Sequence, residues 1–189
     1  MPYCRDREDE PFETVLAAAR AGEAWALERL YASLAPAVAG FLRVQRAAEP
    51  DDLTSEVFVG VLRNLSTFRG DEGHFRSWVF TIAYRRLTDE RRAIGRRPQV
   101  QSLDDTPDPV DPSDVQADVE RLLATHRVRD LCTTLPPVQR DVVLLRLVGR
   151  LTIDEIASLL GRSRGAVKAL QRRGLAKLSR RLEREGVPL

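Results

Sequence analysis

The sequence predicts an all-α chain built as two small helical domains joined by a flexible linker, the C-terminal domain being a helix-turn-helix. Three observations predict it. Aliphatic residues supply most of the 43% hydrophobic content and aromatics only 6%. Apolar residues recur at helical spacing with little strand-like alternation. A stretch rich in Pro and Asp near the middle interrupts both patterns. A chain of 189 residues suffices for one typical domain or two small ones. The interruption favours two, residues 1–94 and 119–189, with residues 95–118 between them.

In the first domain, Leu27, Leu30, Tyr31 and Leu34 follow the i, i+3, i+4, i+7 spacing of a buried helical stripe, and Val38, Phe41 and Leu42 continue it after Pro36. A second helix starts near Pro50-Asp51-Asp52, where carboxylates suit the positive end of a helix dipole. It carries Leu53, Val57, Val61 and Leu65 on one side, widened by Phe58 and Leu62. Ser66 to Gly73 is a turn-rich break. Trp78, Val79, Ile82, Ala83 and Leu87 then define a third helix, whose other faces bear Arg76, Arg85, Arg86, Arg91 and Arg92.

The linker holds Pro98, Pro107, Pro109 and Pro112 among aspartates, with few large apolar residues to bury. Beyond it, residues 119–134 suit one helix, and Leu135-Pro136-Pro137 places proline where the next begins. Val138, Val142 and Leu145 share a face of that helix, which Gly149 ends. Thr152-Ile153-Asp154-Glu155 is a capping box, in which each side chain satisfies the other residue's free backbone donor. Ile156, Leu159 and Leu160 lie along the short helix that follows, Gly161 permits a sharp turn, and Ser163 caps the last helix. Stepping about 100° per residue puts Val167, Leu170, Gly174, Leu175, Leu178 and Leu182 on its inner side. Gly165, Lys168, Ala169, Arg172, Arg173 and Ala176 fall opposite.

The net charge of +2 conceals an uneven distribution. Residues 1–94 carry 13 Lys and Arg against 15 Asp and Glu, residues 95–118 carry 2 against 6, and residues 119–189 carry 15 against 7. The last third is therefore strongly basic, as expected of a surface that neutralises phosphates. A short helix, a turn at Gly161 and a long basic helix make the pattern whose second helix enters the DNA major groove. Small residues permit close approach there, and cations can meet guanine edges or phosphates. Arg162 and Arg164, at the turn, suit phosphate contact.

Other classes fit poorly. Cys4 and Cys132 lie far apart with no CxxC pair, and His74 and His126 are the remaining candidate ligands, so neither a metal nor a disulfide framework is expected. There is no nucleotide-cradling glycine loop and no Ser or Cys with a matched His, so no enzyme and no cofactor is expected. Asp51 and Asp52 are successive helix positions, which point about 100° apart and make a poor shared metal site. No apolar run approaches the roughly 18 residues that span a bilayer, and the start lacks a signal peptide's apolar core, so the expected location is cytoplasmic without membrane insertion. A helix-turn-helix alone also serves repressors and activators. A regulator binding operators as a dimer would need a long apolar dimerisation helix, and none is evident.

The first domain makes the choice. The run Asp51-Asp52-Leu53-Thr54-Ser55-Glu56-Val57-Phe58, then Thr67-Phe68-Arg69-Gly70-Asp71 with Phe75-Arg76-Ser77-Trp78-Val79-Phe80-Thr81-Ile82-Ala83, and finally Leu135-Pro136-Pro137-Val138-Gln139-Arg140, Thr152-Ile153-Asp154-Glu155-Ile156-Ala157 and Gly165-Ala166-Val167-Lys168 resemble, in order, the motifs of the extracytoplasmic-function group of RNA polymerase sigma factors. The resemblance covers nearly the whole chain from about Phe12 to Leu182, apart from the linker. It implies a non-catalytic specificity subunit whose first domain binds core RNA polymerase and the minus-ten element and whose second reads the minus-thirty-five element. Implied partners are the beta-prime clamp coiled coil and beta subunit of core polymerase, promoter DNA, and an anti-sigma factor. Asp52, Leu53, Glu56, Val57 and Phe58 would meet the coiled coil, apolar groups inside and charges at the rim. Phe68, Arg69, His74, Phe75, Arg76, Trp78, Arg85 and Arg86 would capture the minus-ten strand by stacking and cationic contacts. Arg162, Arg164, Gly165, Lys168, Ala169, Arg172 and Arg173 would serve the minus-thirty-five element.

One departure from the family's pattern matters. Many members read Ile-Ala-Arg-Asn where this chain has Ile82-Ala83-Tyr84-Arg85, so a guanidinium stands in place of an amide. Arginine donates hydrogen bonds but cannot accept them, which alters the bases it can pair with. Arg85→Asn is expected to change base preference at one minus-ten position when promoter bases are substituted one at a time; an unchanged preference discards the idea.

Overall fold

The structure, a computed structural model, describes residues 10–95 and 128–185. The linker and the front of the helix expected from residue 119 lie outside the described residues. Four helices form the first domain: α1 (Phe12–Arg20), α2 (Ala24–Val44), α3 (Pro50–Arg63) and α4 (Glu72–Gly95). Residues 128–133 are helical and lead into the second domain's α5 (Pro137–Leu147), α6 (Ile153–Leu160) and α7 (Arg164–Arg184).

The helix α1 is an addition to the expected elements. It buries Val15, Leu16 and Ala19 against α2, with Phe12 packed beside them. Arg20, at its C-terminus, donates to the carbonyls of Leu65 and Phe68, which ties α1 to the loop between α3 and α4. The helix α2 runs unbroken through Pro36 because that residue lies on the exposed side, where water can satisfy the carbonyl left without an amide partner. Its inner face (Leu30, Leu34, Val38, Phe41, Leu42) meets the inner face of α4 (Phe75, Val79, Phe80, Ala83, Leu87). Phe41 and Phe80 pack edge to face with centroids 5.5 Å apart, an arrangement favoured by the ring quadrupoles. The helix α3 starts with Pro50 in its first turn followed by Asp51 and Asp52, as expected, and buries Leu53, Thr54, Val57, Phe58 and Val61.

In the second domain the turn signals hold. Pro137 opens α5. Thr152 Oγ1 accepts from the Glu155 amide at 3.2 Å while Glu155 Oε2 accepts from the Thr152 amide at 2.6 Å, completing the capping box. Gly161 closes α6 in the left-handed conformation at φ 61°, where a β-carbon would be strained. Ser163 Oγ accepts from the Ala166 amide and starts α7. The helices α5 and α7 pack so closely that a β-carbon on Gly174 would sit 2.7 Å from Val143 Cγ2.

The two domains touch. Arg76 of α4 donates to the Val148 carbonyl at 2.9 Å, and a β-carbon on Gly149 would lie 3.1 Å from Phe80 Cβ. Gly149 falls just beyond α5, as expected of a residue that ends it, and its small size also admits the first domain.

Gly174→Ala is expected to lower stability by about 1–3 kcal/mol in urea titration, because branched Val143 has little freedom to retreat. Gly165→Ala faces open space and is expected to be neutral or slightly stabilising.

Candidate functional site

Three surfaces carry the residues singled out in the sequence. On α3, Asp52 and Glu56 are exposed, but Leu53, Val57 and Phe58 belong to the buried core. In the free chain these three pack inward between α2 and α4, as apolar residues on the inner side of a helix do. The outward face at the same helical spacing is Asp52, Ser55, Glu56, Val59 and Arg63, bordered by Leu62. Val59 and Leu62 remain 45% and 43% exposed, two large aliphatic groups beside a pair of carboxylates. Sequence reasoning passed over Val59 and gave Leu62 to the core. Counting four residues on from Ser55 and three from Glu56 would have put Val59 on the acidic face.

The second surface is the loop before α4 and that helix's outer side. Phe68 and Phe75 are buried and Trp78 is half-buried. Phe68 stacks on Trp78 with centroids 5.1 Å apart and meets Phe75 edge-on at 5.3 Å, while Phe12 of α1 closes the cluster. These ring contacts brace the loop and leave Trp78 partly open to solvent. Arg69 is exposed and turns its Nη1 onto the carbonyls of Ser66 and Phe68 at 2.7 Å each. His74 is exposed as well. Its amide and ring nitrogen both lie on Asp71 Oδ1, at 2.9 and 2.8 Å, and hold the Asp71 carboxyl below the usual carboxylate range.

Farther along, Arg76 leaves the loop for the second domain, and its side chain lies over the Phe80 ring at 5.4 Å. Burial lowers its guanidinium from the ordinary value, with Arg150 nearby adding to the effect. Arg85 and Arg86 are exposed, Arg86 reaching Glu56 at 3.9 Å. Arg85 lines a cleft of about 490 Å³ together with Thr88, Asp89 and Arg92 of the same helix. The opposite wall comes from the second domain and includes Asp141, Leu159 and Arg162.

The third surface is the outer side of α7. Gly165, Lys168, Arg172 and Arg173 are exposed and Ala169 is half-buried, which brings the expected reading residues onto one side of one helix. Val167 and Gly174 are buried on the opposite side. Leu175 departs from expectation in remaining exposed, since it stands about 100° from buried Gly174 at the flank of the inner stripe. Arg162 is exposed beside the turn. Arg164 pairs with Asp154 at 2.8 Å, both largely solvated, so the pair is weak and leaves Arg164 available to a phosphate. The helix carries eight cations against a single acid, Glu183. Among the described residues there is no group of three His, Cys, Asp or Glu that could hold a metal ion.

Comparison with known proteins follows the same division. Residues 30–97 match the Sigma-70 region 2 family, and residues 125–178 match the Sigma-70 region 4 family. The chain is 30% identical over 184 residues to the ECF RNA polymerase sigma factor ShbA of Streptomyces griseus, covering 92% of this chain and 96% of ShbA. It is 33% identical over 170 residues to the ECF RNA polymerase sigma factor BldN of Streptomyces coelicolor, covering 87% of this chain and 63% of BldN, so it spans less than two thirds of that relative. Among solved structures it is similar to CnrH in complex with the cytosolic domain of CnrY, at TM-score 0.60 and 26% identity over 92% of this chain and 98% of that one. The sigma factor RpoE of Bartonella quintana, solved with the anti-sigma factor NepR, shares the fold at TM-score 0.59 and 18% identity, over 82% of this chain and 96% of that one.

Each cation that meets a phosphate displaces a counterion from DNA. Arg162→Ala and Arg173→Ala are each expected to reduce the slope of log affinity for duplex DNA against log salt by about 1. Equal slopes for variants and parent, measured by fluorescence anisotropy, would remove these residues from the interface.

Proposed function

Because this chain belongs to the extracytoplasmic-function group of RNA polymerase sigma factors, we propose a division of labour between its domains that follows the exposed faces of α3, α4 and α7. As an alternative sigma factor the chain binds core RNA polymerase and directs initiation at promoters with minus-ten and minus-thirty-five elements.

Residues 1–94 bind polymerase and the minus-ten element, residues 119–189 bind the minus-thirty-five element, and residues 95–118 span the distance between them. On α3, Val59 and Leu62 supply the apolar centre of the contact with the beta-prime clamp coiled coil, and Asp52 and Glu56 set its register through basic residues at the rim. Leu53, Val57 and Phe58 act from behind, fixing the pitch of that helix. The minus-ten strand meets Arg69 and His74 in the braced loop and Arg85 and Arg86 on α4. Gly165, Lys168, Ala169 and Arg172 enter the major groove, while Arg162, Arg164 and Arg173 hold phosphates. The second domain also reaches the beta subunit. No step of this work makes or breaks a covalent bond in the chain's own hands, so the protein acts by binding alone.

The relative from Bartonella quintana was solved with an anti-sigma factor, and a partner of that kind would act here by covering the α3 face until a signal releases it. No described helix is long and apolar enough to cross a membrane. That fits work beside polymerase in the cytoplasm.

The observation that carries the reading is the pairing of the two sigma regions, in order, with an acidic and partly aliphatic exposed face on one and a cationic helix on the other. Reconstitution with core polymerase and genome-wide mapping of start sites tests it; no initiation anywhere would overturn it. Val59→Glu with Leu62→Glu is expected to weaken core binding at least tenfold with the helical content unchanged, since both positions are already exposed. Leu53→Ala should instead destabilise the first domain by about 2–5 kcal/mol. Undiminished core binding by the α3 double variant would move the contact elsewhere.

A further inference from the structure

The contact between the domains joins an apolar seam, where buried residues of both domains form one cluster and Gly149 lies against Phe80, to a polar patch. At its centre is the carboxylate of Asp141, on α5, which is 5% exposed. Its described hydrogen-bond donors both come from the first domain: Gln45 Nε2 at 2.7 Å on Oδ1 and the Tyr84 hydroxyl at 3.0 Å on Oδ2. Arg91 Nη1 lies 4.0 Å from Oδ1, and Arg91 Nη2 donates to the Gln45 carbonyl at 2.7 Å and to Gln45 Oε1 at 3.2 Å. Gln45 is itself only 1% exposed. Burial, then the charge and hydrogen bond of Asp141, raise the Tyr84 phenol well above its usual range, so it stays protonated and donates.

A buried carboxylate is tolerated only when it is paired and hydrogen-bonded, and this one is satisfied by the neighbouring domain. Asp, Gln, Tyr and Arg are also groups that water accepts readily once an interface parts. Like charges also meet across the contact, Arg76 beside Arg150 and Arg140 beside Arg91 and Arg46, which makes the closed form easier to part.

Promoter geometry conflicts with this closed arrangement. Elements centred 25 base pairs apart are separated by about 85 Å along B-form DNA. The helices that carry the two reading surfaces, α4 and α7, have 24 and 21 residues, about 36 and 32 Å of length. Domains hydrogen-bonded through α4 and α5 cannot bring those surfaces so far apart. In the closed form Arg85 and Arg162, each assigned to a different promoter element, line the same cleft between the domains. The 24 linker residues, 95–118, are long enough to span roughly 80 Å, which lets the domains part while each stays folded.

From these observations we infer that the chain restrains itself: the second domain docks on α4 through a latch of Asp141 with Gln45, Tyr84 and Arg91, and this closed form must open before polymerase and promoter are engaged. The inference rests on the sigma-factor reading above. Tyr84 is one of the two positions where the chain departs from the family's Ile-Ala-Arg-Asn pattern, and its hydroxyl makes one of the latch's two hydrogen bonds to Asp141.

The full-length chain with Gln45→Ala and Tyr84→Phe tests the latch. Neither change alters charge, and neither residue lies in the proposed polymerase or promoter contacts. Small-angle scattering is expected to give the parent a radius of gyration near the about 16 Å of a compact chain of this length, and the double variant a value at least a quarter larger. Core polymerase is expected to bind the variant five- to tenfold more tightly, because the closed population no longer competes. Tyr84→Phe alone, nearly isosteric, should move both quantities in the same direction by less, and serves if the double variant loses helicity. A parent already expanded, a variant as compact as the parent, or an expanded variant with unchanged polymerase affinity overturns the inference. Loss of polymerase binding by parent and variant alike would count against the sigma-factor reading, while scattering would still report separately on the latch.

Discussion

Everything in this molecule depends on the burial of one face of α4. Phe75, Val79, Phe80, Ala83 and Leu87 lock that helix into the first domain, and the edge-to-face contact of Phe80 with Phe41 sets its depth. Once that face is committed, helical geometry fixes what the remaining sides can do. One flank offers Arg76, Tyr84 and Arg91 to the second domain, and the other leaves Arg85 and Arg86 toward solvent. The same constraint on α3 separates Leu53, Val57 and Phe58, which must face inward, from Asp52, Glu56 and Val59, which cannot.

This separation explains which parts of the structure were legible in the sequence. The second domain was readable almost residue by residue, because its signals are local: proline at a first turn, a capping box, a left-handed glycine, a serine cap. Gly174 fell on the inner side of α7 by simple periodicity, and the 2.7 Å approach to Val143 supplies the reason a glycine stands there. Periodicity was weakest at the flank of the stripe, as at Leu175. The helix α1 escaped notice since its short run is rich in alanine, and Val15, Leu16 and Ala19 make only a narrow stripe.

The functional surfaces were less legible, for a different reason. A stripe of apolar residues on a helix does not declare whether it meets its own core or a partner. Motif resemblance therefore placed Leu53, Val57 and Phe58 at the polymerase, although the geometry buries them. The aromatic residues of the loop are ambiguous in the same way. Phe68, Phe75 and Trp78 have the chemistry to stack on bases, and folding packs them together with Phe12, leaving Trp78 half-buried. The cations were easiest to place on the surface, because charged groups avoid the core. The interdomain contact was invisible, since Gln45 and Asp141 are polar residues on faces that sequence patterns assign to solvent.

A two-domain subunit of this design joins rigid reading surfaces with an adjustable distance. Helix packing holds the cations of α7 and the arginines of α4 in fixed arrays, while a dissociable polar contact decides whether both can be presented together. The most direct measurement is hydroxyl-radical footprinting of the chain alone and bound to core polymerase. The account predicts that Val59 and Leu62 lose reactivity in the complex while Tyr84, half-buried in the free chain, gains it. Unchanged reactivity at all three positions in a complex that still forms would contradict it.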